Sequence, residues 1–333
     1  MWIGRSAKCR SFGWPLRVAQ LVTLLLVVGV LTLGVGQSSA TSASRCASAG
    51  RVKIAAWRPD MGAAIAYART RRGDISFAVR TDQHYWGYRD QHVVVTASVL
   101  KAMLLVAYLE LPSVRHRHLT GADTALLAPM IRVSDNAAAT AVRNIVGDGR
   151  LMALARAVGM RHFRTNPVWG LSETTALDQT KFFLHIERYI ALRHRSYALR
   201  LLASIVRSQR WGIGRIALPG WAVYFKGGWG SGTGAVDHQV VLVVHGCSQV
   251  SLAVMTLGDG THAYGKQTLY GVALRLLDRL PRFRAAASQG ARSALRMRGS
   301  RGSGRPASRG PSSLACPAGP WGCNPPLLSG APG

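Results

Sequence analysis

Three short polar segments of this sequence hold residue types that could do chemistry together. They are Ser98-Val-Leu-Lys101, Ser134-Asp135-Asn136 and Lys226-Gly227-Gly228-Trp229. A serine hydroxyl can attack a carbonyl when a neighbouring base removes its proton, and a lysine whose pKa is lowered can act as that base. Only six of the 42 basic residues are lysines, so the two lysines in these segments are informative.

The first segment opens a strongly apolar stretch. Ser98 and Lys101 are three residues apart, so on a helix they share a face. A buried ammonium is costly, and the apolar surroundings should therefore lower the pKa of Lys101. The alternative is a lysine that reaches the helix edge beside an N-capping serine.

The other two segments, taken alone, have ordinary interpretations. Ser134-Asp135-Asn136 lies between two predicted helices, and these residue types are favoured N-caps. The Lys226 segment follows a predicted strand at 221–225 and would be a loop, whose glycines allow a ligand to approach the backbone.

The elements that must position these segments fall into two groups. Apolar runs at 63–69 and 75–80 predict two early strands around a turn at 72–74. Runs at 221–225, 239–244 and 250–257 predict three late strands, followed by a helix at 264–280. Between the two groups, helical periodicity covers 97–111, 122–132, 137–146, 150–158, 176–193 and 196–208.

The predicted fold class is therefore α+β. An antiparallel sheet is built from both chain ends and flanked by helices, and an all-helical lobe is inserted between them. We place the sheet lobe at 44–95 and 210–280 and the helical lobe at 96–209, with a cleft between the lobes as the expected site.

The N-terminal residues predict export. A basic segment at 1–17, an apolar run at 21–35 and small residues at 36–43 are typical of a signal peptide, here residues 1–43. An uncleaved membrane anchor is the alternative, because the apolar run approaches the length of a span. Both interpretations predict a secreted, periplasmic or cell-envelope protein.

The cysteines fit an exported protein. Cys9 leaves with the signal peptide, and four cysteines remain. Cys46 with Cys247, and Cys316 with Cys323, would form two disulfides. Free buried thiols at Cys46 and Cys247 are the alternative, since sequence alone does not determine connectivity.

The charge balance bears on partners. The formal net charge is +28, and residues 281–333 contain eight arginines and no acid. This segment, rich in Arg, Gly, Ser and Pro, is predicted to be a disordered basic tail. Attraction to an anionic cell envelope follows, and a non-enzymatic binder of anionic polymers is an alternative function. Nucleic acid is not expected, because the tail lacks interleaved aromatic residues.

No cofactor or metal is expected. The chain has only 14 acidic residues and contains neither a CxxC nor an HExxH motif, so neither an acidic metal cage nor structural zinc is indicated. We expect a monomer.

In their order along the chain, the three segments resemble the SxxK, SDN and KTG motifs of class A β-lactamases and penicillin-binding proteins. The resemblance covers about residues 60–280. It implies that Ser98 is the nucleophile, Lys101 its base and Ser134 the proton donor to the leaving nitrogen. It also implies that the substrate is held by Asn136, Lys226, Gly228 and Trp229, with the amides of Ser98 and Trp229 as the oxyanion hole.

The sequence departs from the family at two places. Gly227 stands where the family has Thr or Ser, and Ser231 or Thr233 could replace that hydroxyl. The loop after Gly159 has no ExxLN motif, and its one acid is Glu173. Glu173 is either a displaced deacylation base or a helix-capping group. The resemblance implies a small-molecule or peptidoglycan-derived substrate. We therefore expect β-lactam cleavage, with a D-Ala-D-Ala peptidase-like enzyme or a slowly deacylating penicillin-binding protein as the alternative.

Overall fold

The computed structural model describes residues 54–230 and 235–283. Five strands form an antiparallel sheet in the order β2-β1-β7-β6-β5, and β3 pairs with β4 in a separate two-stranded ladder. The strands are β1 (Asp74–Thr81), β2 (Tyr85–Tyr88), β3 (Val94–Val95), β4 (Glu173–Thr174), β5 (Ala222–Gly230), β6 (Val236–His245) and β7 (Ser248–Leu257). The predicted sheet from both chain ends is thus confirmed.

The helices surround this sheet and form the inserted lobe. They are α1 (Met61–Arg69), α2 (Leu100–Leu109), α3 (Gly121–Arg132), α4 (Asn136–Val158), α5 (Ala176–Leu184), α6 (Leu192–Ala203) and α7 (His262–Leu277). Helix α7 packs on α1, β6 and β7, and α5 packs on β1, β6 and β7. Because β6 and β7 are buried along nearly their whole length, these helices cover both faces of the sheet.

Helix α2 is the centre of the helical lobe. All ten of its residues are buried, and it contacts α3, α4 and α6. A helix that is apolar on every side needs protein on every side, which the inserted lobe provides. Asp123 closes the capping box of α3 with Thr120 and also accepts hydrogen bonds from Tyr108 and Arg117.

Several element predictions were wrong in detail. Residues 63–69 belong to α1, which Asp60 caps, because the buried alanines Ala64 and Ala68 are four residues apart and mark a helix stripe. The second strand of the sheet is instead β2. The segment from Lys226 to Trp229 lies within β5 and is not a loop.

The helical boundaries also differ. The two helices predicted at 137–146 and 150–158 are present as the two halves of α4, which meet at a kink where Gly147 adopts φ 73° and ψ 162°, but they extend further than predicted. The helix predicted at 176–193 ends at Leu184, and a 3₁₀ turn (Ile186–Tyr189) follows it.

Some predictions concern residues outside the described ranges. The signal peptide, Cys9, Cys46, Ser231, Thr233, Cys316, Cys323 and the tail beyond 283 all lie there. Cys247 is disulfide-bonded, so its interpretation as a free thiol was wrong, and its partner lies outside the described residues. Within 54–230 and 235–283, none of the helices has the length and hydropathy of a membrane span.

Candidate active site

Ser98 lies in a 3₁₀ turn (Ala97–Val99) that leads into α2. The turn is fixed from two sides. The amide of Thr96 donates to the carbonyl of Ser172 at 2.6 Å, and Nε2 of His238 contacts the carbonyl of Val95 at 2.8 Å. Ala97 has φ 42°, a left-handed conformation that non-glycine residues adopt at a cost. The Ser98 turn is thus held in place by the sheet and by the loop after Gly159 together.

Strand β5 passes very close to this turn. A Cβ atom added to Gly228 would lie 2.6 Å from the amide nitrogen of Ser98 and 2.8 Å from that of Val99. Only a glycine permits this approach. Strand β5 is the edge strand of the sheet, and it packs against the Ser98 turn.

Lys101 is fully buried on α2 and forms three hydrogen bonds. Its Nζ donates to the carbonyl oxygen of Ser134 at 2.6 Å, to Ser134 Oγ at 3.1 Å and to Asn136 Oδ1 at 2.7 Å. Burial lowers the pKa of Lys101 to about 7, against a smaller raising effect of Asp135. Near neutral pH a large share of this amine is therefore unprotonated, as a base must be.

Lys226 reaches the same hydroxyl from β5. Its Nζ donates to Ser134 Oγ at 3.0 Å and to the carbonyl of Gly227 at 2.8 Å. Burial, and then the charge of Lys101, lower the pKa of Lys226 well below its ordinary value. In the described part of the chain neither lysine forms an ion pair.

Ser134 joins the two lysines. With φ 62° it occupies the left-handed region, which costs of order 1–3 kcal/mol for a non-glycine residue. The next residue, Asp135, caps α4 by accepting from the amide of Ala138 at 2.7 Å. When both lysines donate to Ser134 Oγ, its two lone pairs are used and its O–H remains free to donate.

The missing hydroxyl at Gly227 has a structural counterpart in Trp211. A Cβ at Gly227 would lie 3.1 Å from Trp211 Cζ2, so the indole occupies the space of a threonine side chain. Gln239 fixes the Trp211 loop, with Nε2 donating to the carbonyl of Trp211 at 2.7 Å and Oε1 accepting from the amide of Ile213 at 2.6 Å.

Trp229, near the end of β5, is half exposed and is supported by His262. The two rings stack at 4.4 Å between centroids, and His262 Nδ1 contacts Asp237 Oδ1 at 2.5 Å. Burial and the neighbouring Asp259 raise the pKa of Asp237 to about 8, and burial lowers the pKa of His262 to about 4. Both shifts favour the uncharged forms of the two groups.

The loop after Gly159 presents an indole to the lysine. The Trp169 ring centroid is 5.0 Å from Lys101 Nζ, and Trp169 Nε1 donates to Thr140 Oγ1 at 3.1 Å. Glu173 lies in β4 with an exposed side chain, and its backbone pairs with Arg164. The capping interpretation of Glu173 was wrong, because Thr175 caps α5.

The structure thus brings Lys101, Ser134, Asn136 and Lys226 into one hydrogen-bonded group and sets Gly228 against the Ser98 turn. Glu173 makes no hydrogen bond to that group. Sequence reasoning assigned no role in the site to Trp169, Trp211 or His262. For the two tryptophans, the available signal was an aromatic residue within a short loop. In residues 54–230 and 235–283, no group of three or more His, Cys, Asp or Glu side chains could hold a metal ion.

Comparison with known structures agrees with this fold. The β-lactamase of Sphaerobacter thermophilus DSM 20745 superposes with a TM-score of 0.55 at 18% identity, covering 68% of this chain and 100% of that one. A β-lactamase of Xanthomonas campestris pv. campestris gives 0.56 at 18% identity, over 66% and 97%. An ancestral class A β-lactamase gives 0.53 at 17% identity, over 64% and 96%. No curated protein matches the sequence.

Residues 123–280 match the profile of the β-lactamase enzyme family, and this match covers the segment at 134–136 and all of β5, β6 and β7. The fold shared with class A β-lactamases extends the likeness to the N-terminal strands. The chain therefore has the fold of class A β-lactamases, and residues 123–280 are similar to the β-lactamase enzyme family.

Proposed function

We propose that this protein is an exported SxxK serine hydrolase that accepts the acyl group of a β-lactam, or of a related amide, on Ser98. The observation that carries the proposal is the convergence of Lys101 and Lys226 on Ser134 Oγ, at 3.1 and 3.0 Å, beside the Ser98 turn. Lys101 takes the proton of Ser98, and Ser134 gives a proton to the leaving nitrogen. The amides of Ser98 and Trp229 stabilise the oxyanion.

The charges of the site favour an anionic substrate. Two buried lysines share one hydroxyl, and no carboxylate of the described residues pairs with either of them. A carboxylate bound next to Lys226 would favour its charged form and raise its lowered pKa. Penicillins and acyl-D-Ala-D-Ala peptides both carry such a carboxylate.

The loop after Gly159 favours slow release of the acyl group. Trp169 covers Lys101, and Glu173 is exposed on β4. Loss of a general base typically costs 10²–10⁴-fold in rate, which is enough for an acyl-enzyme to persist. A slowly deacylating penicillin-binding protein, or a D-Ala-D-Ala peptidase-like enzyme, is therefore the second candidate.

Intact-mass spectrometry after incubation with benzylpenicillin tests the proposal. We expect a mass gain of one penicillin per chain, absent from Ser98→Ala. An adduct that persists, after a burst of one equivalent, indicates slow deacylation, whereas rapid steady turnover without a burst indicates an efficient β-lactamase. Release of D-alanine from an acyl-D-Ala-D-Ala peptide would favour the peptidase.

The proposal fails if the wild-type protein neither gains the mass of benzylpenicillin nor hydrolyses it, and releases no D-alanine from the peptide. Retention on anionic envelope polymers without an adduct would then favour the non-enzymatic binder.

A further inference from the structure

A cavity of about 560 Å³ opens on the helical lobe, at the C-terminal end of α2. Its walls come from α2, the second half of α4, the Ile186–Tyr189 turn and the start of α6. Val106 is the first residue of α2 that lines the cavity. It is eight positions after Ser98, which corresponds to about 12 Å along the helix axis. None of the residues assigned to the active site lines this cavity, so it is a separate site.

The floor of the cavity is apolar. Val106, Ala107 and Ile190 are buried there, and Leu154 is half buried. Leu192 at the rim is 78% exposed, the most exposed of the large apolar residues that the structure describes. Apolar cavities of roughly 300–1,000 Å³ with a few polar groups at the mouth are the usual form of a small-ligand site.

The rim is strongly basic. Four arginines line it, namely Arg115, Arg150, Arg188 and Arg195. Glu110 is the one acid among the lining residues. Four positive charges against one negative charge leave a formal balance of +3 at the rim.

Both carboxylate oxygens of Glu110 already have partners within the protein. Glu110 Oε1 accepts from the amide of Ala191 at 2.6 Å, and Oε2 lies 3.7 Å from Arg115 Nη2. Arg150 and Arg188 form no ion pair with any residue that the structure describes. Two guanidinium groups therefore remain available to an external anion.

We propose that this cavity binds a single-chain amphiphile with an anionic head group. The alkyl chain would lie on the floor between α2 and α4, and the head would contact Arg150 and Arg188. A guanidinium group binds both carboxylate and phosphate in bidentate geometry, so a fatty acid and an alkyl phosphate share the required chemistry.

Isothermal titration of the purified protein tests this, with dodecanoate, dodecyl phosphate, dodecanol and acetate, each below any micelle concentration. We expect the two long-chain anions to bind and dodecanol and acetate to bind at least ten-fold more weakly. The tighter of the two anions identifies the head group. The basic tail is common to all variants, so any binding of anions by the tail is the same in each of them.

Two variants locate the site. Arg188→Gln should weaken binding about ten-fold, or about 1.4 kcal/mol. Ala153→Trp, on the exposed wall of α4, should fill the cavity and abolish binding. Arg200→Gln, an exposed arginine of α6 outside the cavity, is the matched control and should bind as wild type does. Equal binding by all variants, or by dodecanol, would overturn the proposal.

Discussion

The two sides of the candidate active site differ in how many side chains they offer for the proposed reaction. On the side of α2 and β5, four hydrogen bonds of 2.6–3.1 Å join Lys101, Ser134, Asn136 and Lys226. On the side of the loop after Gly159, Trp169 stands 5.0 Å from Lys101 and Glu173 points to solvent.

This difference bears on the two steps of the proposed reaction, which are formation and hydrolysis of the acyl-enzyme. Formation of an acyl-enzyme needs a nucleophile, a base and an oxyanion hole, and the first side carries candidates for all three. Hydrolysis of the acyl-enzyme needs an activated water, and the second side offers an indole where a carboxylate would be required. For the proposed function we therefore expect acylation to be retained and deacylation to be slow.

The largest expected effect is at Ser98. Ser98→Ala should abolish labelling by a fluorescent penicillin, because removal of the catalytic nucleophile leaves no route to the acyl-enzyme. The thermal midpoint should change little, since a small hydroxyl is lost from a preformed site. Ser113→Ala, an exposed serine in a turn, is the control and should label normally. Retained labelling of Ser98→Ala would assign the nucleophile elsewhere.

Lys101 tests whether the first side needs a base or only a charge. Lys101→Ala and Lys101→Arg should both lower the acylation rate by roughly 10²–10⁴-fold, because guanidinium does not lose its proton. In wild type the rate should rise with pH through about 7, as the neutral amine becomes the main form. Stopped-flow acylation from pH 5 to 9 measures both. An active Lys101→Arg variant would show that charge suffices.

Gly228 tests the close approach of β5 to the Ser98 turn. Gly228→Ala should destabilise the protein by about 1–3 kcal/mol, because the added Cβ meets backbone nitrogen at 2.6 Å. Displacement of the turn by about 1 Å should slow acylation by on the order of 10²-fold. Gly149→Ala is the control, since its Cβ would meet nothing within 4 Å. If both variants had the same melting curve and the same acylation rate, the close approach of β5 to the Ser98 turn would not require a glycine at position 228.

Trp169 tests the second side directly. Trp169→Glu places a carboxylate above Lys101 and should speed deacylation by about 10²-fold, the lower end of what a general base contributes. Trp169→Gln removes the indole without adding a base and should deacylate as wild type does. Decay of the isolated acyl-enzyme, followed by mass spectrometry, measures the rates. Equal acceleration by both variants would mean that the indole acts only by excluding water.

The smallest expected effect is at Glu173. Glu173→Gln should leave steady-state turnover unchanged, because the side chain is exposed on β4 and makes no hydrogen bond to the site. Hydrolysis of a chromogenic β-lactam checks this. If the variant instead trapped the acyl-enzyme, Glu173 would be the base, and the contrast between the two sides would disappear.

The local elements were largely predictable from sequence. Continuous apolar runs predicted β1, β6 and β7, because strands covered on both faces need them. The run at 63–69 was ambiguous, since a short alanine-rich segment fits both periods, and it proved helical. Lys226 was placed in a loop because the two glycines after it suggested a break, yet pairing with β6 continues the strand through them.

The amino-acid sequence by itself determined the three polar segments and their order. It also determined the helical periodicity and the apolar runs around them, since both are patterns of neighbouring residues. Tertiary structure alone decided that Trp211 fills the space beside Gly227 and that Trp169 covers Lys101. It also decided that four arginines from separate segments surround one cavity. Contacts between residues far apart in the chain depend on how the elements pack, and no local pattern encodes that packing.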